Sequence, residues 1–96
     1  GDKVSAEDAE RMGMIYKCLD DADGLQEAIN FTERISLMPT QSIGYIKHML
    51  KASENNDLQQ QLDLEKELQK KAAASYDHQE GINAFFEKRK PVYKGE

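Results

Sequence analysis

Apolar side chains recur at the 3.6-residue spacing of an α-helix along the middle of the chain, which predicts three helices. The first follows the turn at residues 20–24 and continues to about Leu37. The second begins at Pro39, because proline ends one helix and suits the first turn of the next. The third and longest runs from an N-cap at Asp57 to Ala74. The apolar positions of these helices are Leu25, Ala28, Ile29, Thr32 and Ile35, then Ile43, Ile46 and Leu50, then Leu58, Leu62, Leu64, Leu68 and Ala72.

Capping signals predict one further helix at each end of the chain. Ser5 followed by Asp8 has the spacing of a capping box, and it predicts a short first helix through Met12. Gly13 then suits the left-handed conformation that commonly ends a helix.

The last predicted helix opens with Asp77 and Glu80 in a second capping-box spacing and stops before Pro91. Its apolar cluster consists of Ile82, Phe85 and Phe86. Gly81 inside this helix costs about 1 kcal/mol relative to alanine. A tightly packed neighbour is therefore expected at this glycine.

The segment Met14–Leu19 lacks a helical stripe and alternates instead, with Ile15, Lys17 and Leu19 on one face. This pattern predicts a short strand. A lone strand needs a sheet to join, and no other segment resembles a partner strand. We expect it to pair with a missing part of a longer protein or with another copy of the chain.

These elements predict an all-α fold of about five helices with one short N-terminal strand. We expect residues 1–22 to form a linking helix and strand that belong to an absent core domain, and residues 23–96 to form a helical oligomerisation domain. The chain begins with Gly1 rather than methionine, which also favours a piece of something longer.

Composition narrows the class of protein. The 96 residues suit one small domain, and 39% apolar with 32% charged residues favour a water-soluble chain that folds. The net charge of −5 argues against binding to nucleic acid or an anionic membrane, because most of the surface would be repelled. No apolar run approaches the roughly 20 residues of a membrane span, and no signal pattern is seen, so a cytoplasmic location is expected.

Residues that commonly carry chemistry are scattered. His48 and His78 lie far apart, and the one cysteine, Cys18, forms no Cys-x-x-Cys pair, so no metal site is predicted. Cys18 is read as a small buried hydrophobe. Glu65 falls beside an apolar stripe, which favours a structural pairing at a packing interface over a functional role. No Gly-x-Ser-x-Gly elbow or phosphate-binding glycine loop is present, and no catalytic residue is predicted.

A cluster of cations with an aromatic ring follows the last predicted helix. The cluster consists of Phe85, Lys88, Arg89, Lys90 and Lys94. Such a patch suits the base and phosphates of a nucleotide-like ligand through stacking and charge-assisted hydrogen bonds. Cations at a helix C-terminus are also favoured by the helix dipole alone, so both interpretations stay open on chemical grounds.

Several tracts in one order resemble the enoyl-CoA hydratase/isomerase (crotonase) superfamily. They are GDKVSAEDAERMGM at residues 1–14, IKHML at 46–50, QQQLDLE at 59–65 and EGINAFFEKRKPVYKG at 80–95. The resemblance covers essentially the whole chain and corresponds to the C-terminal part of such enzymes. The tracts GMIYKCLDD and QLDLEKELQ most resemble the members of this superfamily that act in bacterial phenylacetate breakdown.

The resemblance implies a division of labour in a parent enzyme. In that family an N-terminal domain holds the thioester carbonyl of an acyl-CoA in an oxyanion hole of two backbone N–H groups and supplies the acid/base carboxylates. Those segments lie upstream of Gly1, so we expect these 96 residues to be inactive alone. The C-terminal helices make trimer contacts and cover part of the CoA. By resemblance, Phe85 and Lys88 approach the CoA of an adjacent subunit. Which of the neighbouring rings Phe85 and Phe86 faces the ligand is open, but helical spacing puts Phe85 and Lys88 on one face and predicts that Phe86 and Ile82 point to the core.

The expected partners are therefore other copies of the chain and acyl-CoA, with no cofactor besides the CoA thioester substrate. The parent is expected as a trimer or dimer of trimers, and the isolated chain as a dimer or swapped oligomer. The alternative is a free-standing small helical module that binds acyl-CoA or serves in interactions. A nucleic-acid-binding module on the basic tail is disfavoured by the acidic remainder of the chain.

Overall fold

The computed structural model describes all 96 residues as five α-helices without a strand. The helices are α1 (Ala6–Arg11), α2 (Gly24–Ser36), α3 (Thr40–Ala52), α4 (Leu58–Ala73) and α5 (Tyr76–Glu87). The chain divides into two compact units, Gly1–Thr32 and Glu33–Glu96. No helix here combines the length and the apolar composition that crossing a membrane requires. The predicted division into residues 1–22 and 23–96 concerns a parent protein and stays a prediction.

The first unit begins with the short helix that the capping signal predicted. The Ser5 hydroxyl accepts a hydrogen bond from the Asp8 backbone N–H at 3.1 Å, which satisfies one of the free donors of the first turn. Gly13 has φ 75°, the left-handed conformation expected of it. The start and end of α1 are thus both set by local residues.

The predicted strand over Met14–Leu19 is wrong for this chain. The backbone N–H groups of Met14 and Ile15 both donate to the carbonyl of Ala9, at 2.8 and 3.4 Å, so the chain folds back on the end of α1. The Tyr16 ring stacks on Phe31 with ring centroids 4.8 Å apart. With no second strand to supply a ladder, these local contacts take the place of an extended conformation.

The second unit contains α3, α4 and α5, in which α4 packs against both of its neighbours. Asp57 and Gln60 form a capping box at the start of α4, since each side chain accepts from the other's backbone N–H at 2.8 and 2.9 Å. The core is small. Only Leu68 of α4 and Ala84 of α5 are buried apolar side chains, with 6% and 1% of their surface exposed.

The five predicted helices are confirmed, with one correction at the start of α5. The sequence spacing assigned its capping box to Asp77 and Glu80. The cap is instead Ser75, whose hydroxyl accepts from the His78 backbone N–H at 3.1 Å. Asp77 and Glu80 lie inside the helix and are buried. Their carboxylates bind the C-terminal tail instead.

Candidate functional site

The residues after α5 reverse direction and return along the helix. Lys88 ends the helix in the left-handed conformation, with φ 53° and ψ 38°. The next residue, Arg89, donates its backbone N–H to the carbonyl of Ala84 at 3.0 Å. At the far end, the Asp77 backbone N–H donates to the carbonyl of Glu96 at 3.0 Å. The tail therefore runs antiparallel to α5 and reaches its first turn.

The Glu80 carboxylate holds the first half of this tail. Arg89 donates to both of its oxygens, from Nη1 at 2.5 Å and from Nη2 at 2.9 Å, and the Val92 backbone N–H donates to Oε1 at 2.8 Å. Only 7% of Glu80 is exposed. The hydrogen bonds from Arg89, then that from Val92, lower the pKa of Glu80 to about 2. Glu80 is therefore ionised at neutral pH.

The Asp77 carboxylate holds the second half. Its Oδ1 accepts from the Lys94 backbone N–H at 2.7 Å, and its Oδ2 accepts from the Gly95 backbone N–H at 2.9 Å. Asp77 is 3% exposed. Buried carboxylates need such partners, because an unpaired charge away from water is costly. We call the pair of carboxylates of Asp77 and Glu80 the tail clasp.

An open surface pocket of about 430 Å³ lies beside the clasp. It is lined by Pro39, Ser42, Ala72, Asp77, His78, Gly81, Ile82, Phe85, Phe86 and Tyr93. Tyr93 comes from the tail, and its hydroxyl lies 3.4 Å from the place of a Cβ at Gly81. The tail thus supplies one wall of the pocket and α5 supplies another.

Phe85 of the predicted cluster and its neighbour Phe86 both lie at the surface. Phe85 is 79% exposed and Phe86 is 77% exposed, with their rings edge to face at a centroid distance of 5.7 Å. Ile82 is also exposed, at 38%. The expectation that Phe86 faces the core is not met within this chain, and Ile82 is only partly covered.

The cations of the cluster divide into occupied and free groups. The Arg89 guanidinium is bound by Glu80 and, through Nε at 2.5 Å, by Glu87, and these contacts raise its pKa further. The Lys94 ammonium lies 4.0 Å from the centroid of the Tyr76 ring. The side chains of Lys88 and Lys90 have no hydrogen-bonding or ionic partner. Of the predicted site residues, Phe85 and Lys88 are thus both accessible to a ligand.

The other residues considered in the sequence, His48, Glu65 and Cys18, do not line the pocket beside the tail clasp. His48 is exposed. Glu65 is exposed and accepts a hydrogen bond from Gln61 Nε2 at 3.1 Å. Cys18 is half-buried, and burial together with nearby carboxylates raises the pKa of its thiol. No three acidic, histidine or cysteine side chains are arranged to hold a metal ion.

The tail clasp is the feature that sequence reasoning missed. Asp77 and Glu80 were assigned to a helix start because their spacing from each other is local. Their real partners lie 9 to 18 residues further along the chain. The only sequence signal was Arg89 in an otherwise lysine-rich segment, since arginine rather than lysine suits a two-oxygen grip on a carboxylate.

Comparisons with known proteins match nearly the whole chain to one protein family. A protein-family model described as Enoyl-CoA hydratase/isomerase matches residues 1–96. The chain is 38% identical over 95 residues to the 1,2-epoxyphenylacetyl-CoA isomerase of Escherichia coli K12, covering 99% of this chain and 36% of that protein. It is 33% identical over 94 residues to the mitochondrial enoyl-CoA hydratase of Pongo abelii, covering 98% of this chain and 32% of that protein.

Solved structures show the same relationship. The fold matches a crystal structure of an enoyl-CoA hydratase from Polaromonas sp. JS666 with a TM-score of 0.89 and 28% sequence identity. That match covers 98% of this chain and 37% of the other. The chain therefore spans about a third of the length of the relatives it matches.

Proposed function

The chain belongs to the enoyl-CoA hydratase/isomerase family, and on that premise we propose that it is the C-terminal helical part of an enzyme that acts on acyl-CoA thioesters. The match over residues 1–96 against about a third of each relative's length supports this assignment. In the parent, an oxyanion hole outside these residues stabilises the thioester enolate. The similarity to 1,2-epoxyphenylacetyl-CoA isomerase favours a parent that works in phenylacetate breakdown.

The first proposed task of this part is to make contacts with other subunits and with the core domain of the parent. The observation that carries it is the imbalance between two buried apolar residues and eighteen large apolar residues left exposed. In the second unit, the exposed set on α3 and α4 is Ile46, Leu50, Leu58 and Leu62. Such a surface in water is typical of a protein-protein contact.

The free energy of burying these side chains, set against the cost of association, favours an extensive interface over a small one. Full burial of one leucine or isoleucine contributes about 1.5–3 kcal/mol. Association costs about 4–15 kcal/mol in lost freedom of motion and ordering. Three or four such side chains therefore only offset that cost, and a stable assembly needs most of the exposed set.

The second proposed task is to cover part of the CoA bound by an adjacent subunit. Phe85 presents an exposed ring to which an adenine can stack, and Lys88 follows three residues later with an unpaired ammonium for a phosphate. Residues three apart on a helix lie on one side, although Lys88 itself is the residue that ends α5. Arg89 is not assigned this role because two carboxylates already bind it.

The subunit contact is tested by light scattering of the 96-residue chain after size exclusion. We expect a concentration-dependent dimer or larger species. A well-folded chain that stays monomeric at high concentration would contradict the contact.

The CoA contact is tested by kinetics of the full-length parent enzyme. Lys88→Ala should raise KM for the acyl-CoA about tenfold, as expected for a lost charge-assisted hydrogen bond, and Phe85→Ala should also raise it. Lys47→Ala, which removes an exposed lysine of α3, is the matched control and should leave KM unchanged. Equal KM values for all three variants and the unmodified enzyme would contradict the contact.

Calorimetry distinguishes the free-standing acyl-CoA carrier from the proposed role. A carrier binds acyl-CoA tightly as an isolated 96-residue chain. The proposed part of a larger site binds it weakly or not at all alone, because the neighbouring subunit supplies most of the contacts. Tight binding by the isolated chain would favour the carrier.

A further inference from the structure

Two buried carboxylates hold the tail of this chain against α5. Asp77 and Glu80 are 3% and 7% exposed, which makes them as well buried as Leu68 in the core. Acidic side chains are rarely buried to this extent unless every acceptor is used. Here all four carboxylate oxygens accept from the tail and none from another helix. The two acids therefore serve the position of residues 89–95.

The first consequence concerns Lys88. This residue is the point at which the chain reverses, and it has a left-handed conformation that side-chain-bearing residues seldom adopt. On its C-terminal side, Arg89 is fixed because its guanidinium donates to both carboxylate oxygens of Glu80 and its backbone N–H donates to the carbonyl of Ala84. The chain is therefore held on both sides of Lys88, by α5 before it and by the Arg89 contacts after it.

The second consequence concerns Tyr93. The backbone N–H before it, that of Val92, is held by Glu80, and the one after it, that of Lys94, is held by Asp77. Tyr93 is thus anchored on both sides, and its ring lies over Gly81 in the wall of the pocket that Phe85 also lines. The position of this wall depends on the two carboxylates.

We propose that Asp77 and Glu80 are positioning residues for the CoA contact, because they hold the tail that follows Lys88 and keep Tyr93 in the wall of the pocket that Phe85 also lines. This inference rests on the proposed function of Phe85 and Lys88. The role assigned to each acid is indirect. Each acts through the segment that it holds.

Hydrogen exchange of the 96-residue chain tests the clasp without any ligand. Glu80→Gln turns one acceptor into a donor that faces Arg89, and it should speed amide exchange at Val92 about tenfold. Asp77→Asn should do the same at Lys94 and Gly95, and it serves as the second variant if Glu80→Gln lowers the helical content. Glu87→Gln is the matched control, since Glu87 also binds Arg89 but is exposed, and it should leave Val92 unchanged. Unchanged exchange in both clasp variants would overturn the proposal.

Kinetics of the full-length parent test the positioning role. Glu80→Gln should raise KM for the acyl-CoA roughly as much as Lys88→Ala does, with little change in kcat. Added to Lys88→Ala, it should raise KM little further, because both changes remove the same contact. A purely structural loss would instead add in full, which would overturn the positioning role.

The two proposals fail in different ways. If Lys88→Ala raises KM and Glu80→Gln does not, the positioning role is overturned and the CoA contact stands. If Lys88→Ala itself leaves KM unchanged, the contact is overturned and the positioning role with it, whatever the exchange experiment shows.

Discussion

The Tyr93 hydroxyl lies 3.4 Å from the position that a Cβ atom would occupy at Gly81, and the Cε1 of the same ring lies 3.8 Å from it. The tail therefore approaches α5 at the one glycine of that helix. The sequence predicted a close neighbour at Gly81 from the cost of a glycine inside a helix, and Tyr93 confirms it. The glycine leaves room for a ring that comes from twelve residues further along the chain.

This contact predicts a graded response to substitution at Gly81. A methyl group at 3.4 Å is at ordinary contact distance, so Gly81→Ala should raise the free energy of unfolding by up to about 1 kcal/mol through helix propensity. Gly81→Leu has equally good propensity but fills the place of Tyr93, so it should displace the tail and lower stability. Thermal unfolding followed by circular dichroism measures both.

Gly44 of α3 supplies the control for this series. A Cβ there meets nothing within 4 Å, so Gly44→Ala should stabilise by about 1 kcal/mol, and a leucine should be tolerated as well. A tolerated leucine at Gly81 would contradict the close approach of Tyr93.

Protonation of Glu80 should weaken the tail clasp at low pH. Its pKa in the folded chain is about 2, below the ordinary value of 4.5, so folding is favoured by the ionised form. The stabilisation is fully present above pH 4.5 and is lost as the pH falls from 4.5 towards 2. Thermal unfolding between pH 6 and pH 3 should therefore show a smaller decrease in Tm for Glu80→Gln than for the unmodified chain, by about a few degrees.

Glu67 provides a matched acid for that comparison. Lys71 also lowers the pKa of Glu67, but both side chains of this pair are more than half exposed. Solvent screens such a pair, so Glu67→Gln should leave the pH dependence of Tm nearly unchanged. Equal pH dependence of Glu80→Gln and the unmodified chain would show that the Glu80 contacts do not stabilise the fold.

Local signals made the helices predictable. Ser5, Gly13 and Asp57 act on backbone groups within a few residues of themselves, so their effect can be seen in the sequence. The alternation over Met14–Leu19 is local too, but a strand depends on a partner, and the pattern does not say whether one is present. The same limit applies to Phe86, whose cover would come from outside the chain.

The site was predictable only in part for the same reason. Phe85 and Lys88 came from a family resemblance, and the structure adds that both are accessible. The separation of Arg89 from the free lysines follows from a contact nine residues away, which no local spacing indicates. The sequence therefore located the basic segment but did not divide it into structural and available cations.

Two leucines of α4 should differ in how substitution affects stability and self-association. Leu68 is 6% exposed, so Leu68→Ala should cost about 2–5 kcal/mol through lost burial and the cavity left behind. Leu62 is 49% exposed, so Leu62→Gln should cost less than about 1 kcal/mol while reducing self-association. Urea unfolding and light scattering measure the two effects. A large loss of stability at Leu62 without a change in association would contradict its place on a contact surface.

The Cys18 thiol should react slowly with alkylating agents. Burial raises its pKa, and the carboxylates of Glu7, Glu10 and Asp20 raise it further, so the thiolate is scarce at neutral pH. Glu7→Gln removes one of these charges and should speed the reaction with iodoacetamide, whereas Glu54→Gln in the loop before α4 should not. Mass spectrometry over time gives both rates. If the Cys18 thiol reacted as fast as a free cysteine, its pKa would not be raised in the folded chain.

Ser75 and Asp77 are two polar residues at the start of α5. Their substitution should speed amide exchange at different residues. Ser75 caps α5 through the His78 N–H, so Ser75→Ala should cost about 1 kcal/mol and speed exchange at His78. Asp77 binds the tail, so Asp77→Asn should speed exchange at Lys94 and leave His78 protected. If both variants exposed the same amides, the helix start and the tail would form one unit, and Asp77 would be a second cap rather than half of the clasp.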